Sequence, residues 1–417
     1  MAARPIFQGP PAPRARSRRR FRWVRRLFAF FALLLVALAA WGWLALPSPG
    51  LPAPRPFPAG SAATVVRAAG PRYEAGWLHR ALLGDGNRAL WATPVRLDVL
   101  ELEEIGGGAT PVRRGGGNQT RSLHLRGADG REYVFRSVDK DQASRMTGLR
   151  RAVVGRIRQD QVGALHPAAA LVAAGLAEAV GVPHTTARLA VLADEAALDT
   201  FRASFAGMVG MLEDRSGPGA PGIGSATHLL DTDELDPELR RRPGEAVDAR
   251  AYLAARLLDV YLGDWDRHAG QWRWARVERE GGFAWVPVPK DRDYALADYG
   301  GVLTGLFRRF YPKAVRFDGE YRDLRGLLVD ARPLDRRFLC ALPSAAWDST
   351  AAAMRSALTD GALDAAVRRM PPEYARADGG HLPRTLRLRR DHLPAAAARF
   401  RAELQADCAS PSTKPRG

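Results

Sequence analysis

"GDWDRHAGQWRW" (Gly263–Trp274) and "PVPKDRDYAL" (Pro287–Leu296) place four aspartates, a histidine and a glutamine among tryptophan, valine and proline. Charges set among such apolar neighbours pair with one another, bind metal or do chemistry. Upstream, "DARAYLAARLLDVYLGDW" puts Leu253, Leu257, Val260 and Tyr261 on one helical face, with Gly263 as its C-terminal stop. Downstream, "QWRWARV" and "FAWVPVP" are strands joined by "EREGG". A hairpin turning near residue 281 sets Gln271 opposite Asp291. Asp266 lies in the loop before that edge. A helix, a short loop and a hairpin thus bring two carboxylates and an amide oxygen to one place.

That set suits divalent-metal chemistry. Mg²⁺ or Mn²⁺ takes hard oxygen ligands, which Asp291 and Gln271 supply, while Asp266 accepts a hydroxyl proton or orients a nucleophile. Asp293 reads either as a further ligand or as an ion-pair partner of Arg292 or Arg267. A phosphate cradle is available upstream in "RRGGGNQTRSLHL", where Gly115, Gly116 and Gly117 precede a strand. The same glycines also read as a plain flexible turn. In "YVFRSVDKD", Arg136 and Lys140 are candidate phosphate-neutralising cations. Singly, Asp266 and Asp291 read as turn-capping carboxylates; their joint placement carries the functional reading. His268 reads as a packed histidine bonding a backbone carbonyl, and strand alternation makes Trp272, Trp274 and Trp285 core residues.

Taken in order, "GGGNQTRSLHL", "DGREYVFR", "LVAAGLAEAVGVP", "YLGDWDRHAGQ" and "KDRDYAL" resemble the landmarks of atypical protein kinases of the HipA type. They are similar also to secretory-pathway casein kinases and, more remotely, to phosphatidylinositol kinases. Nearest is an uncharacterised bacterial group with GGGxQTxSL, RSVDKD, GDWDRHxxQWRW and DRD motifs. The resemblance runs from about Thr110 to Ala406. It implies an α+β, two-lobed protein-kinase-like fold, with a small mixed N-lobe and a mainly helical C-lobe. It also implies ATP, or another nucleoside triphosphate, with Mg²⁺ or Mn²⁺.

By the same resemblance Asp266 matches the catalytic aspartate, and Gln271 matches the metal-binding asparagine. Asp291 matches the metal aspartate, with Asp293 beside it. Gly115, Gly116, Gly117, Gln119, Thr120, Arg136 and Lys140 form the phosphate side of the nucleotide site. "GMLED" (Gly210–Asp214), with Met211, Leu212 and Glu213, becomes the inter-lobe hinge that meets the adenine. Three positions depart from the pattern. Gln271 is a longer amide than asparagine, Arg136 stands for lysine, and the helix after His166 lacks the usual glutamate partner, for which Asp160, Gln161 or Glu178 would substitute.

At 417 residues and 46% hydrophobic content the chain has material for a real core and is not a disordered protein. Its net charge is +17, but residues 1–26 carry nine arginines and no acid, leaving +8 for the rest. The basic character is largely a tail property, so nucleic-acid binding is not implied; the tail suits an anionic lipid surface. "LFAFFALLLVALAAWGWLAL" (Leu27–Leu46) has no charge and the length of a bilayer span. Arginines on its N-terminal flank put residues 1–26 in the cytoplasm and the rest outside. The alternative is a signal peptide cut near Ala37–Ala39; both readings export the domain.

A Pro-rich linker fills residues 47–72, with the folded part starting near Tyr73. The lobes read as 73–215 and 216–406, parted by the glycine-rich "SGPGAPGIGS" and followed by a tail at 407–417. Helices are expected over 343–359, 361–369 and 393–406, with "RTLRLRRDHL" a basic surface segment. Cys340 and Cys408, the only cysteines, either bridge or stay free. The acceptor hydroxyl and the oligomeric state have no sequence signature. Two other functions fit the same residues: a degenerate kinase fold acting as an envelope binding or scaffold module, and a metal-dependent phosphohydrolase.

Overall fold

In a computed structural model of the chain the described residues are 16–115, 119–214 and 226–409, without the side chains at 16–21, 35, 38–39 and 42–44. The glycine-rich stretch expected between the lobes and the last eight residues fall outside them. A 30-residue helix, α1 (Arg16–Ala45), comes first and covers all but the last residue of the expected span. Among the described residues no single helix is long and apolar enough to cross a membrane.

Seven strands form the first sheet: β1 (Thr64–Arg67), β2 (Val95–Leu100), β3 (Ala109–Gly115), β4 (Ser122–Gly127), β5 (Glu132–Ser137), β6 (Ala187–Leu192) and β7 (Val209–Asp214). Their spatial order is β1-β2-β6-β7-β5-β4-β3. Two short helices, α2 (Trp77–Leu83) and α3 (Arg88–Ala92), connect β1 to β2. β4 and β5 make the expected hairpin about the Gly-Ala-Asp-Gly turn, with Ser122 opposite Arg136. Between β5 and β6 run α4 (Gly148–Asp160) and α5 (Ala169–Ala179). Residues 169–177 of α5 are all buried, as befits a helix apolar on every side. A Cβ on Gly175 would come within 2.9 Å of Ala366, so this small-residue helix packs hard against the second half of the chain.

The folded part starts earlier than expected. The proline-rich linker is irregular, as its composition requires, yet it is tied down by its carbonyls: Arg72 donates to Gly50 O at 2.7 Å, Arg121 to Pro52 O at 3.1 Å and Arg67 to Arg55 O at 2.6 Å. Gly207, at φ +75°, lies under this strap, where a Cβ would sit 1.9 Å from Arg55 O. β1 then adds to the sheet edge from Thr64, ahead of Tyr73.

After α6 (Arg202–Phe205) and β7, a second, four-stranded sheet is built from β8 (His228–Asp231), β9 (Ala246–Val247), β10 (Trp272–Arg279) and β11 (Gly282–Pro289), ordered β8-β10-β11-β9. Helices α7 (Thr232–Arg241) and α8 (Ala249–Leu262) precede its central hairpin. Trp272, Trp274 and Trp285 are fully buried, in keeping with strand alternation. The hairpin register is one residue off the expected pairing: Trp272 faces Pro289, and Lys290 N–H donates to Gln271 O at 2.9 Å. The turn is the two-residue Glu280-Gly281, with Gly281 at φ +90°. Gln271 therefore faces Lys290, and Asp291 lies just beyond the ladder.

The remainder is helical: α9 (Val302–Phe307), α10 (Leu324–Leu328), α11 (Arg332–Leu339), α12 (Ser344–Ala357), α13 (Asp360–Val367), α14 (Pro372–Asp378) and α15 (His381–Ala409). α12 and α13 fall where sequence periodicity puts them. α15 is longer than expected and absorbs the basic segment. Arg389 within it is buried and donates to Val260 O at 2.6 Å and Tyr261 O at 2.8 Å, satisfying the last turn of α8. Cys340 and Cys408 are bridged with their Cα atoms 6.0 Å apart, tying the end of α11 to α15.

One buried carboxylate organises the region around the quoted motif. Asp259 on α8 meets Arg256 at 2.8 Å, Arg267 at 3.3 Å, and Arg292. Burial alone would raise its pKa, but three guanidinium groups hold it below the ordinary carboxylate range. Replacing Asp259 with alanine strands three buried cations. Asp259→Ala should lose about 3–5 kcal/mol of stability, and Asp259→Asn less, measured by urea unfolding at neutral pH.

Candidate functional site

Helix α8 ends where Gly263 takes the left-handed conformation, φ +68°, and releases the chain into the Asp264–His268 loop. Asp264 is fully buried, against Arg292 at 3.2 Å and Arg267 at 3.7 Å. Burial, opposed by those arginines and reinforced by Asp259 and Asp266, pushes its pKa up to about 6. Arg267 is fully buried too. It donates to Gln271 O at 3.0 Å, Lys290 O at 2.7 Å and Asp291 O at 3.2 Å, clamping both ends of the β10–β11 hairpin to the loop. Asp291 follows with φ +52°, in the left-handed region that non-glycine residues seldom occupy. That backbone turn aims its carboxylate back toward the first sheet.

Across the cleft, β5 supplies the partners. Arg136 Nη1 lies 2.8 Å from Asp291 Oδ2 and 3.6 Å from Asp293 Oδ2, while Arg136 Nη2 donates to Glu213 Oε2 at 3.2 Å. Lys140 Nζ is 2.9 Å from Asp293 and sits 4.2 Å above the Tyr294 ring. Asp293 thus pairs with Lys140 and Arg136; Arg292 and Arg267 are committed to Asp259 and Asp264. Burial raises the Asp293 carboxyl, with Asp291 reinforcing it, and Lys140 and Arg136 only partly offset this. Asp291 moves the other way. Despite burial, Arg136 and Lys140 draw it well below the carboxylate range. Its Oδ1 is buried and has no hydrogen-bond partner.

Asp266 is half-buried, and among the described residues it makes no hydrogen bond or ion pair. Burial raises its pKa, Asp291 and Asp330 add to the rise, and His268 and Lys140 oppose it. A carboxylate left unpartnered beside a charged cluster is free to take a proton. His268 is exposed, and its Nδ1 accepts the Gly270 N–H at 3.1 Å rather than bonding a carbonyl.

Among the described residues no group of three or more His, Cys, Asp or Glu could hold a metal, so Asp291 and Asp293 stand as a pair. Gln271 adjoins them through its backbone. Of the glycine run, Gly115 ends β3, where a Cβ would come within 2.2 Å of the His124 ring. Gly116 and Gly117 lie outside the described residues. Gln119 returns to the cleft: its Oε1 accepts from Tyr294 OH at 3.3 Å, which in turn accepts from Gln142 at 2.9 Å. Thr120 lies in the bend before β4.

Met211, Leu212 and Glu213 are not a free hinge. They form the interior of β7, paired to β5 on one side and β6 on the other, so the sheet consumes their backbone groups. Glu213 instead serves as the carboxylate partner of Arg136. The substitutes considered for that role are engaged elsewhere: Asp160 holds Arg88 at 2.6 Å and His79 at 2.9 Å, Gln161 donates to Leu83 O, and Glu178 pairs with Arg369. The sequence signal for Glu213 was its position two residues after Met211, which faces Arg136 across β5–β7.

Two small adjoining cavities flank this cluster and share Ala170 and Glu213. The first is lined by Arg136, Lys140, Asp293 and His166, and the second by Asp291, Arg292 and the alanine face of α5. His166 had no role assigned from sequence. Its ring is buried, Nδ1 accepts the Ala168 N–H at 3.1 Å, and Nε2 has no partner. An Nδ1 acceptor requires the Nε2–H tautomer, so a lone donor is held at the cavity wall.

No protein-family profile matches the chain. No curated protein sequence matches it. Among solved structures it is similar to the crystal structure of a Helicobacter pylori proinflammatory kinase, CtkA, at 12% identity and a TM-score of 0.33, over 68% of this chain and 94% of that one. It is also similar to the Shewanella oneidensis MR-1 toxin–antitoxin complex of HipA, HipB and operator DNA, at 13% identity and a TM-score of 0.33, over 72% of this chain and 69% of that one. At these scores neither likeness carries weight for function.

Burial pushes the His166 pKa down to about 4. The unfolded chain protonates near 6.5 while the native state does not, so stability is full above 6.5 and falls as pH drops toward 4. Wild type should lose about 3 kcal/mol over that interval relative to His166→Gln, read from urea unfolding at pH 7 and pH 4.5.

Proposed function

We propose that this chain is a membrane-anchored, kinase-like phosphotransferase that moves the γ-phosphoryl group of a nucleoside triphosphate to a hydroxyl acceptor. In this reading residues 73–215 and 216–406 are the two lobes of a HipA-like kinase fold. The observation that carries it is the convergence of Arg136 and Lys140 from β5 and the loop after it on Asp291 and Asp293, beside the unpartnered Asp266. Phosphoryl transfer needs that division of labour: cations for the phosphate oxygens, carboxylates for a metal, and a separate base.

The buried, unsatisfied Oδ1 of Asp291 fits a metal ligand. Asp291, with Asp293 and Gln271, would hold Mg²⁺ or Mn²⁺, which when bound neutralises charge on the phosphate oxygens. Arg136 and Lys140 would turn from the carboxylates to those oxygens as the metal takes their place. The 115–120 turn would cover the phosphates. Asp266 accepts the acceptor's hydroxyl proton as the new O–P bond forms and the nucleoside diphosphate leaves.

The N-terminal helix would anchor the chain with its arginines in the cytoplasm and the folded part outside, and the Cys340–Cys408 bridge supports an oxidising compartment. A second reading rests on one observation. Arg136 is already shared by Asp291 and Glu213, so the cluster is internally compensated, as a binding or scaffold module without catalysis would have it.

Thermal unfolding with ATP, with Mn²⁺ and with both separates the two. Saturation at a hundred times Kd should stabilise the fold by about 2.7 kcal/mol, only with both ligands present, and Asp291→Ala should abolish the shift. No shift in wild type selects the scaffold. Asp266→Ala should keep the shift and lose transfer of labelled phosphate; undiminished transfer would remove Asp266 from the role of base. Because burial raises the Asp266 pKa, the acid limb of the rate profile should lie above the ordinary carboxylate range.

A further inference from the structure

Three helices near the exit of α1 leave large apolar side chains uncovered. On α4, Leu149, Val153 and Ile157 recur at i, i+4 and i+8 and are 80%, 51% and 44% exposed. On α9 and the turn after it, Leu306, Phe307 and Phe310 are 59%, 56% and 85% exposed, and Trp77 on α2 is 80% exposed. An exposed apolar area of this extent on a folded domain marks an interaction site.

These elements are contiguous. His79 of α2 bonds Asp160 at the end of α4 at 2.9 Å. Thr304 of α9 donates to Leu83 O of α2 at 3.3 Å, and Gly84 and Gly301 meet so closely that a Cβ on Gly301 would lie 2.3 Å from Gly84 N. The end of α1 is fastened to the same face. The Trp41 ring packs 5.5 Å from His79, and Arg156 of α4 donates to Leu46 O at 2.8 Å.

Charge points to the occupant. Residues 145–158 hold five arginines and no acid, and residues 302–316 hold three arginines and a lysine with no acid. Within them Arg145, Arg150, Arg158, Arg309 and Arg316 are exposed. Arg151, Arg308 and Lys313 pair with Asp141, Asp323 and Asp330, but apolar side chains rimmed by the five exposed arginines, next to the exit of α1, match the interface of an anionic bilayer.

We propose that the α2–α4–α9 face is a bilayer-docking surface that seats the folded domain on an anionic lipid leaflet beside α1. The proposal rests on the membrane reading of α1 but uses different residues. Seated this way, the domain has two attachments, which fix its orientation and present the cleft to acceptors at the membrane surface.

The test uses the full chain in phosphatidylglycerol-containing vesicles. Its two native cysteines are bridged, so single cysteines introduced as Val153→Cys, Leu306→Cys or Phe310→Cys, and Glu280→Cys at the β10–β11 turn as control, accept a spin label. The three surface labels should show an oxygen-to-nickel-chelate collision ratio several-fold above that of the control, and the ratio should fall in purely zwitterionic vesicles. Labels at 153, 306 and 310 that meet the aqueous chelate as freely as the control overturn the proposal. Concentration-dependent spin–spin broadening in detergent overturns it in favour of a second copy. Alkaline extraction reports on α1 separately. Protein that resists extraction while its surface labels stay aqueous keeps the anchor and loses the docking face. Protein that is extracted, yet shows lipid-buried labels before extraction, does the reverse.

Discussion

The site depends on the Asp259 carboxylate and the three arginines around it. Arg256 continues to Asp335, where Tyr252 also donates, fixing α8 to α11. Arg267 and Arg292 belong to the two halves of the aspartate-rich motif, the loop after α8 and the segment after β11, and both converge on Asp259 and Asp264. A buried ion cluster contributes little net stability against well-packed apolar groups. Its value here is geometric, because guanidinium forks accept only particular directions. The same Arg267 that neutralises Asp259 holds the backbone carbonyls of Gln271, Lys290 and Asp291.

With that frame set, the cleft is an exercise in opposed shifts. Asp291 and Asp293 are two residues apart and share two cations, yet one carboxyl is drawn down and the other pushed up. Like charges at close range cannot both be fully ionised in a dry site, so neighbouring environments separate them. Asp266 stands outside the ion pairs and keeps its lone pairs available. Glu213 belongs to the same balance, since it holds the other nitrogen of Arg136 from a strand with no spare backbone groups.

The strapped linker and α1 are tied to both the first sheet and helix α4. Carbonyls of Gly50, Pro52 and Arg55 are held by arginines of the folded part, and Leu46 is held by α4. A proline-rich segment lacks the N–H groups for a regular ladder but keeps every carbonyl. Arginine-rich surfaces supply the donors it needs.

Several features followed from the sequence alone. The β4–β5 hairpin, α5, α8 with its Gly263 stop, α12, α13 and the buried tryptophans are set by local periodicity and turn chemistry, which act over a few residues. The placing of Asp266 and Asp291 near one edge was also legible, because a helix end and a hairpin edge fix neighbours within the chain segment. The tertiary structure decided what local rules leave free. A one-residue change in turn length moved Gln271 opposite Lys290. Pairing on both sides set the expected hinge residues in the centre of a sheet and gave Arg136 the partner Glu213. Arg389, placed on a solvated face by composition, became the cap of α8. In the last two cases an ionic or backbone group found its partner far along the chain, and such pairings depend on packing that no local pattern encodes.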